Sequence, residues 1–317
     1  MAPGNQALSL AALLAGAAFA SATGQEPSAD GAKERPLHTR IDLPSAEACG
    51  GCHARELAEW SSSLHGRAWT NANIRAATKN FAQRECRPCH SPLPVLATGL
   101  DVRPDFRDFN QTDGVHCLSC HGLAGGVAAA RTIAGAPCRP LAEPRLARSE
   151  LCWPCHEPTH QAFQEYQTSQ AFAAGKRCQD CHMPARAEGG GHTHSGLGGF
   201  NEEFVRRAIG WEARLEGREL VLQLENRTGH KFPGEISSRS FLIRVHFPGH
   251  EPADLLLRKP HKGEAREDDR LKPDERRTLR FPLPQGAEEA RVELRFLPLP
   301  LMPPEHGFLL GEWSSRG

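Results

Sequence analysis

Residues 113–122 read DGVHCLSCHG. Two cysteines stand three apart, Cys117 and Cys120, with His121 directly after the second and His116 directly before the first. Two thiols at that spacing can form thioethers to the two vinyl groups on one edge of a haem, and the next residue then lies under the iron as an axial ligand. The pattern recurs as Cys49/Cys52/His53, Cys86/Cys89/His90, Cys152/Cys155/His156 and Cys178/Cys181/His182, so ten of the eleven cysteines sit in five copies and only Cys138 is left over. One CxxCH is a weak signal, because CxxC also serves zinc sites and thioredoxin-like redox pairs. Five copies with a histidine after every second cysteine fit covalent haem c attachment, since neither zinc knuckles nor disulfides require that histidine. The expectation is five covalently attached haem c groups.

All five copies lie between Cys49 and His182, which leaves about 27 residues for each haem, too few to bury a conventional core around five macrocycles. The haems themselves should form that core, held by short helices and loops. From Trp211 onward the pattern changes to period-two runs, "RELVLQLE" with Leu220, Leu222 and Leu224 on one face, "SFLIRVHF" with Phe241, Ile243, Val245 and Phe247, and "ARVELRF" with Val292, Leu294 and Phe296. Short alternating strands between Pro, Gly and charge clusters predict a small antiparallel sandwich. The fold class expected is therefore α+β: a haem-packed, mainly helical and loop N-terminal domain over 37–200, then an antiparallel β-sandwich over 211–317.

Residues 7–24, "ALSLAALLAGAAFASATG", are apolar and end in small residues that fit a secretory signal cleaved after Ala20 or Ala22, although Met1 to Gln6 carry no Lys or Arg. Residues 23–36 are polar and read as a disordered leader. No later stretch is long and apolar enough to be a transmembrane helix, so the expected location is the periplasm or the exterior, where covalent haem attachment is completed in bacteria. Lys plus Arg and Asp plus Glu both total 38, so no basic excess points to nucleic acid.

Sixth ligands decide whether haems carry electrons or perform chemistry. The chain has sixteen histidines and three methionines; Met1 falls in the signal, Met183 is committed beside His182, and Met302 lies in a Pro-rich tail. Histidines should therefore close the irons, and bis-His ligation implies lower reduction potentials than Met/His ligation. His160 follows His156 by four residues, so on a helix both share one face and cannot flank one iron. His65 lies twelve residues after His53, about 18 Å along a continuous helix. Both should reach haems other than their neighbours. His116, fixed beside Cys117, should ligate a haem packed alongside. His192 and His194 lie on a Gly-rich loop, one expected to ligate and the other to face solvent. Cys138 is expected to be a free thiol, buried or weakly exposed.

The segments "CGGCHARELAEWSSSLHGRAW", "GVHCLSCHG", "CWPCHEPTH", and "CQDCHMP" followed by "HTHSGLGG" resemble the cytochrome c-554 type of multihaem cytochromes, and "ENRTGHKFPGEISSR" is similar to a GHxFPTG segment of multihaem proteins with a β domain after the haems. The resemblance spans roughly residues 44–245 and implies periplasmic electron transfer, with His65, His160, His194 and His230 as matching sixth ligands. That family's namesake has four haems and this chain has five motifs, and "FPGE" stands where the family has "FPTG", so haem pairing does not carry over. His230 would then weld the β domain to the haem domain. Partners implied are redox proteins as donor and acceptor, with assembly into a homo-oligomer or haem filament as a further role. The competing reading is a multihaem reductase or oxidase of a small nitrogen or sulfur compound at one open haem; the absence of any CxxCK motif, and a single tyrosine, Tyr166, count against it.

Overall fold

The first half is built of short helices, several of which carry a CxxCH motif. The computed structural model describes residues 44–123, 126–236, 239–299 and 302–316, with the side chains of 157–160 outside that set. The expected signal over 1–22 and the leader over 23–36 also lie outside the described residues. Helices α1 (Ala46–Gly50) and α2 (Ala54–Ser62) carry the first motif. They are followed by α3 (Ala72–Ala77), α4 (Arg87–His90), α5 (Val95–Thr98) and α6 (Cys117–His121). A small sheet comes next, β1 (Gly122–Leu123) paired antiparallel with β2 (Gly126–Ala129), which pairs in parallel with β3 (Pro140–Ala142). Helices α7 (Trp153–His160), α8 (Ala162–Gln167), α9 (Gln170–Ala173), α10 (Cys178–His182) and α11 (Glu202–Ala208) complete this half.

The second half is all antiparallel. Strands β4 (Ile209–Glu216), β5 (Glu219–Asn226), β6 (Ser240–His246), β7 (Ala253–Arg258), β8 (Arg276–Pro282), β9 (Arg291–Leu297) and β10 (Phe308–Ser314) form two sheets, ordered β10-β9-β6-β7 and β4-β5-β8. Side chains alternate along a strand, so the period-two runs turn one face inward. Leu220, Leu222 and Leu224 of β5 meet Phe241, Ile243 and Val245 of β6 and Val292, Leu294 and Phe296 of β9 in one apolar cluster, nearly all fully buried. Each such side chain contributes about 1.5–3 kcal/mol on burial. The edge strands β4 and β8 alternate with charged residues outward, where Arg280 pairs with Glu216 and Glu219, a pattern that discourages further edge pairing.

Before Val205 the described buried apolar side chains are few and scattered, among them Ala68, Phe81, Leu118 and Phe163. The two halves are joined by polar contacts. Gln170 N donates to Asp274 Oδ2 at 2.7 Å, and Lys231 N donates to Glu165 Oε2 at 2.9 Å. The described residues all belong to a single compact unit.

Candidate haem-ligand sites

Four of the CxxCH motifs lie on a helical turn or at its start, and the first runs from the end of α1 through a turn to the N-cap of α2. At i and i+3 the two thiols project from the same face, as in α6 and α10, which each run from the first cysteine to the histidine of one motif. The opening stretch shows how such a turn is held. Asp113 Oδ2 accepts from Ala46 N at 3.0 Å, tying in α1. Val115 N donates to His65 O at 3.0 Å, and the Trp60 indole donates to Val115 O at 2.7 Å. Gly114, at φ +57, permits this approach, because a Cβ there would sit 2.5 Å from His65 O. The third motif and the His65 loop are thereby fastened together.

Three motif histidines are oriented through Nδ1. His90 Nδ1 faces Ala68 O at 2.9 Å, His121 Nδ1 faces Ala128 O at 2.8 Å, and His182 Nδ1 faces Leu197 O at 2.6 Å. A carbonyl only accepts, so Nδ1 carries the proton in each and Nε2 keeps its lone pair, the arrangement that second-shell groups impose on metal-binding histidines.

Three of the five then meet a second histidine ring at one spacing. His65 and His156 have ring centroids 6.2 Å apart, as do His121 and His194, and His182 and His230, with interplanar angles of 56°, 31° and 17°. Two metal–nitrogen bonds of about 2 Å each, extended by the two ring radii of about 1 Å, give roughly this separation. Burial lowers the proton affinity of His65, His121 and His194, and burial together with the charge of His182 brings His230 down to about 4. These imidazoles are neutral near pH 7, the state in which a histidine can bind metal. Further contacts position the partner rings. Glu59 of α2 accepts from His194 N and from Arg186, each at 2.7 Å. His230 Nδ1 lies 3.3 Å from Lys231 O.

The motifs also touch one another. The Cys49 thiol lies beside Cys117, Cys89 beside Cys155, and Cys152 beside Cys178. Motifs one and three, two and four, and four and five are therefore neighbours. Burial alone pushes the Cys120 thiol up to about 11.

His116, read from sequence as a neighbour's ligand, is placed differently. It is the N-cap of α6 and is 3% exposed, and its Nδ1 accepts from Leu118 N at 2.9 Å. In the neutral ring Nε2 then carries the proton, so neither nitrogen offers a free lone pair. Burial, with Arg107 nearby, brings its pKa down to about 3, which keeps it neutral. His192 does not face solvent: it is half-buried, with Nδ1 2.5 Å from Met183 O. Cys138 is exposed rather than buried, in a run of turns. His53 and His90 meet no second histidine ring among the described residues, and the His160 side chain lies outside them. The backbone does place His160 on α7 with His156. The sequence reading missed the carbonyl partners of Nδ1 and the Glu59 clamp, which have no motif of their own.

CxxCH motifs on or beside short helices, histidine rings set at a ligand spacing and an antiparallel β-sandwich give the chain the features of a multihaem c-type cytochrome resembling the cytochrome c554 family. Residues 48–122 match the family described as "Cytochrome c554 and c-prime". Over 86% of this chain and 98% of the other, the fold matches the crystal structure of a penta-heme cytochrome c552 from Thermochromatium tepidum, at 20% identity and a TM-score of 0.61. No curated protein matches the chain.

Proposed function

We propose that the protein is a pentahaem c-type cytochrome that passes single electrons along closely packed haems. Cys49 and Cys52, Cys86 and Cys89, Cys117 and Cys120, Cys152 and Cys155, and Cys178 and Cys181 would each hold one haem. His53, His90, His121, His156 and His182 are the proximal ligands, and His65, His194 and His230 supply the opposite ligands for the His156, His121 and His182 sites. The observation that carries this reading is the common 6.2 Å spacing of three histidine pairs that are far apart in sequence. Haem supplies one-electron iron chemistry whose potential is set by axial ligands, hydrogen bonding and burial. The chain's part is to fix the rings, keep them neutral and bring neighbouring motifs into contact, as the three thiol pairs do. The scarcity of buried apolar side chains before Val205 agrees with macrocycles forming that half's core.

Residues 37–200 act as the haem-binding domain and 211–317 as the domain whose His230 clamps onto it. The protein is exported to the periplasm or beyond, and exchanges electrons with donor and acceptor redox proteins. No helix among the described residues is long and apolar enough to cross a membrane.

The test is the mass of the mature protein, expected to carry five haem additions, together with electron paramagnetic resonance of the oxidised protein and carbon monoxide binding to the reduced one. Low-spin signals and no carbon monoxide uptake support a carrier. One stoichiometric high-spin haem that binds carbon monoxide turns the assignment to a reductase of a small nitrogen or sulfur compound. Fewer than five additions would refute the pentahaem reading.

A further inference from the structure

Arg239 is a half-buried cation whose guanidinium Nε is fully enclosed with no hydrogen-bond partner, and it has no counter-charge among the described residues. An uncompensated buried charge is costly, and burial draws its pKa down to about 10. The guanidinium lies over two aromatic rings, 6.0 Å from the Phe200 centroid and 5.7 Å from that of Phe296. Such contacts offset part of the desolvation but satisfy no N–H donor.

The position of Arg239 makes the missing partner specific. It passes between two backbone segments that leave room only because both are glycine: a Cβ on Gly199 would sit 2.5 Å from Cζ, and one on Gly234, at φ +122, would sit 3.1 Å from Nη1. Gly199 belongs to the loop whose Leu197 carbonyl orients His182. Gly234 belongs to the loop that carries His230. The guanidinium therefore stands between the two loops that bring the His182 and His230 rings to 6.2 Å.

We infer that Arg239 is the anion anchor of the His182/His230 site, pairing through its planar fork with a carboxylate of the group held between those two rings. This rests on the ligand assignment above. A haem carries two propionate carboxylates, and a guanidinium suits a carboxylate because its N–H groups can bind both oxygens at once. As a positioning residue, Arg239 fixes the rotation of the macrocycle within the site. It also offsets a negative charge beside the iron, which holds that iron's reduction potential up.

The experiment is a spectroelectrochemical titration of the haem-loaded Arg239→Gln and Arg239→Lys variants beside the wild type, with intact mass confirming equal haem content. The glutamine variant leaves the carboxylate uncompensated, so one midpoint falls while the others hold. The lysine variant keeps the charge and keeps that midpoint near wild type. If Arg239→Gln lowers the melting temperature but moves no midpoint, Arg239 is only a pillar between Phe200 and Phe296 and the inference is overturned. A crystal structure of the haem-loaded wild type decides the question even if the glutamine variant fails to mature. A propionate oxygen at hydrogen-bond distance from the guanidinium supports the inference, and a guanidinium facing no anion overturns it. His230→Ala separates the two layers: if it leaves every haem low-spin, the ligand assignment itself has failed, and not the role of Arg239 alone.

Discussion

A histidine becomes a ligand by what its other nitrogen does. His121 and His182 present Nε2 because Nδ1 is spent on Ala128 O and Leu197 O, whereas His116 spends Nδ1 as an acceptor and is a helix cap. On the proposed reading the motif histidines are legible in the sequence, since covalent haem attachment would fix the ligand one residue after the second thiol. The opposite ligands are less legible, because they depend on which loops meet. His65 reaches His156 through the Trp60–Val115 and Val115–His65 bonds and the bare backbone of Gly114, and nothing in residues 54–69 alone names that partner. Replacing His65 by Ala should open one iron, the one held by His156, to high spin with all five haems still attached. The low-spin signal should drop by one haem in electron paramagnetic resonance, and an unchanged spectrum would remove His65 from the ligand set.

At the scale of the element, the period-two runs announced the sandwich because burial on one face is a local property of a strand. Leu220, Leu222 and Leu224 were readable as one face, and they line the cluster. The interlocking of the sheets was not readable. Gly311 of β10 follows a register shift after Leu309, and its missing side chain gives room to the Trp211 indole of β4, in the other sheet. A Cβ at Gly311 would overlap Cζ2 of that ring. Gly311→Ala should therefore cost about 1–3 kcal/mol, the usual penalty of overpacking, seen as a lower melting temperature and altered tryptophan emission. A variant as stable as the wild type would show that Trp211 moves aside freely.

For the whole molecule, the seam between the haem-binding half and the sandwich is a polar cluster at which pH should act. Glu165 of α8 lies 3.3 Å from Arg270 Nη2 and 3.6 Å from Lys231 Nζ, while Arg270 also binds Glu235 and Asp268, and Lys259 binds Glu235. Burial, then the neighbouring Glu235 carboxyl, raise Glu165 from 4.5 to about 7 against the pull of the Lys231 N–H and Arg270. Asp268 stays far below the usual carboxylate range: burial opposes this, but Arg270 and Lys231 prevail. The two glutamates titrate as a pair. A folded pKa above the unfolded one means that folding takes up a proton, so the stabilisation is complete below about pH 4.5 and fades as pH rises toward 7. Asp268 works the other way, but only at pH values below its own unfolded pKa of 3.8, outside that window. Glu165→Gln, which can still accept from Lys231 N but cannot ionise, should flatten the fall in melting temperature between about pH 4.5 and 7 while leaving haem content unchanged. An identical slope in both proteins would mean that the seam does not titrate there.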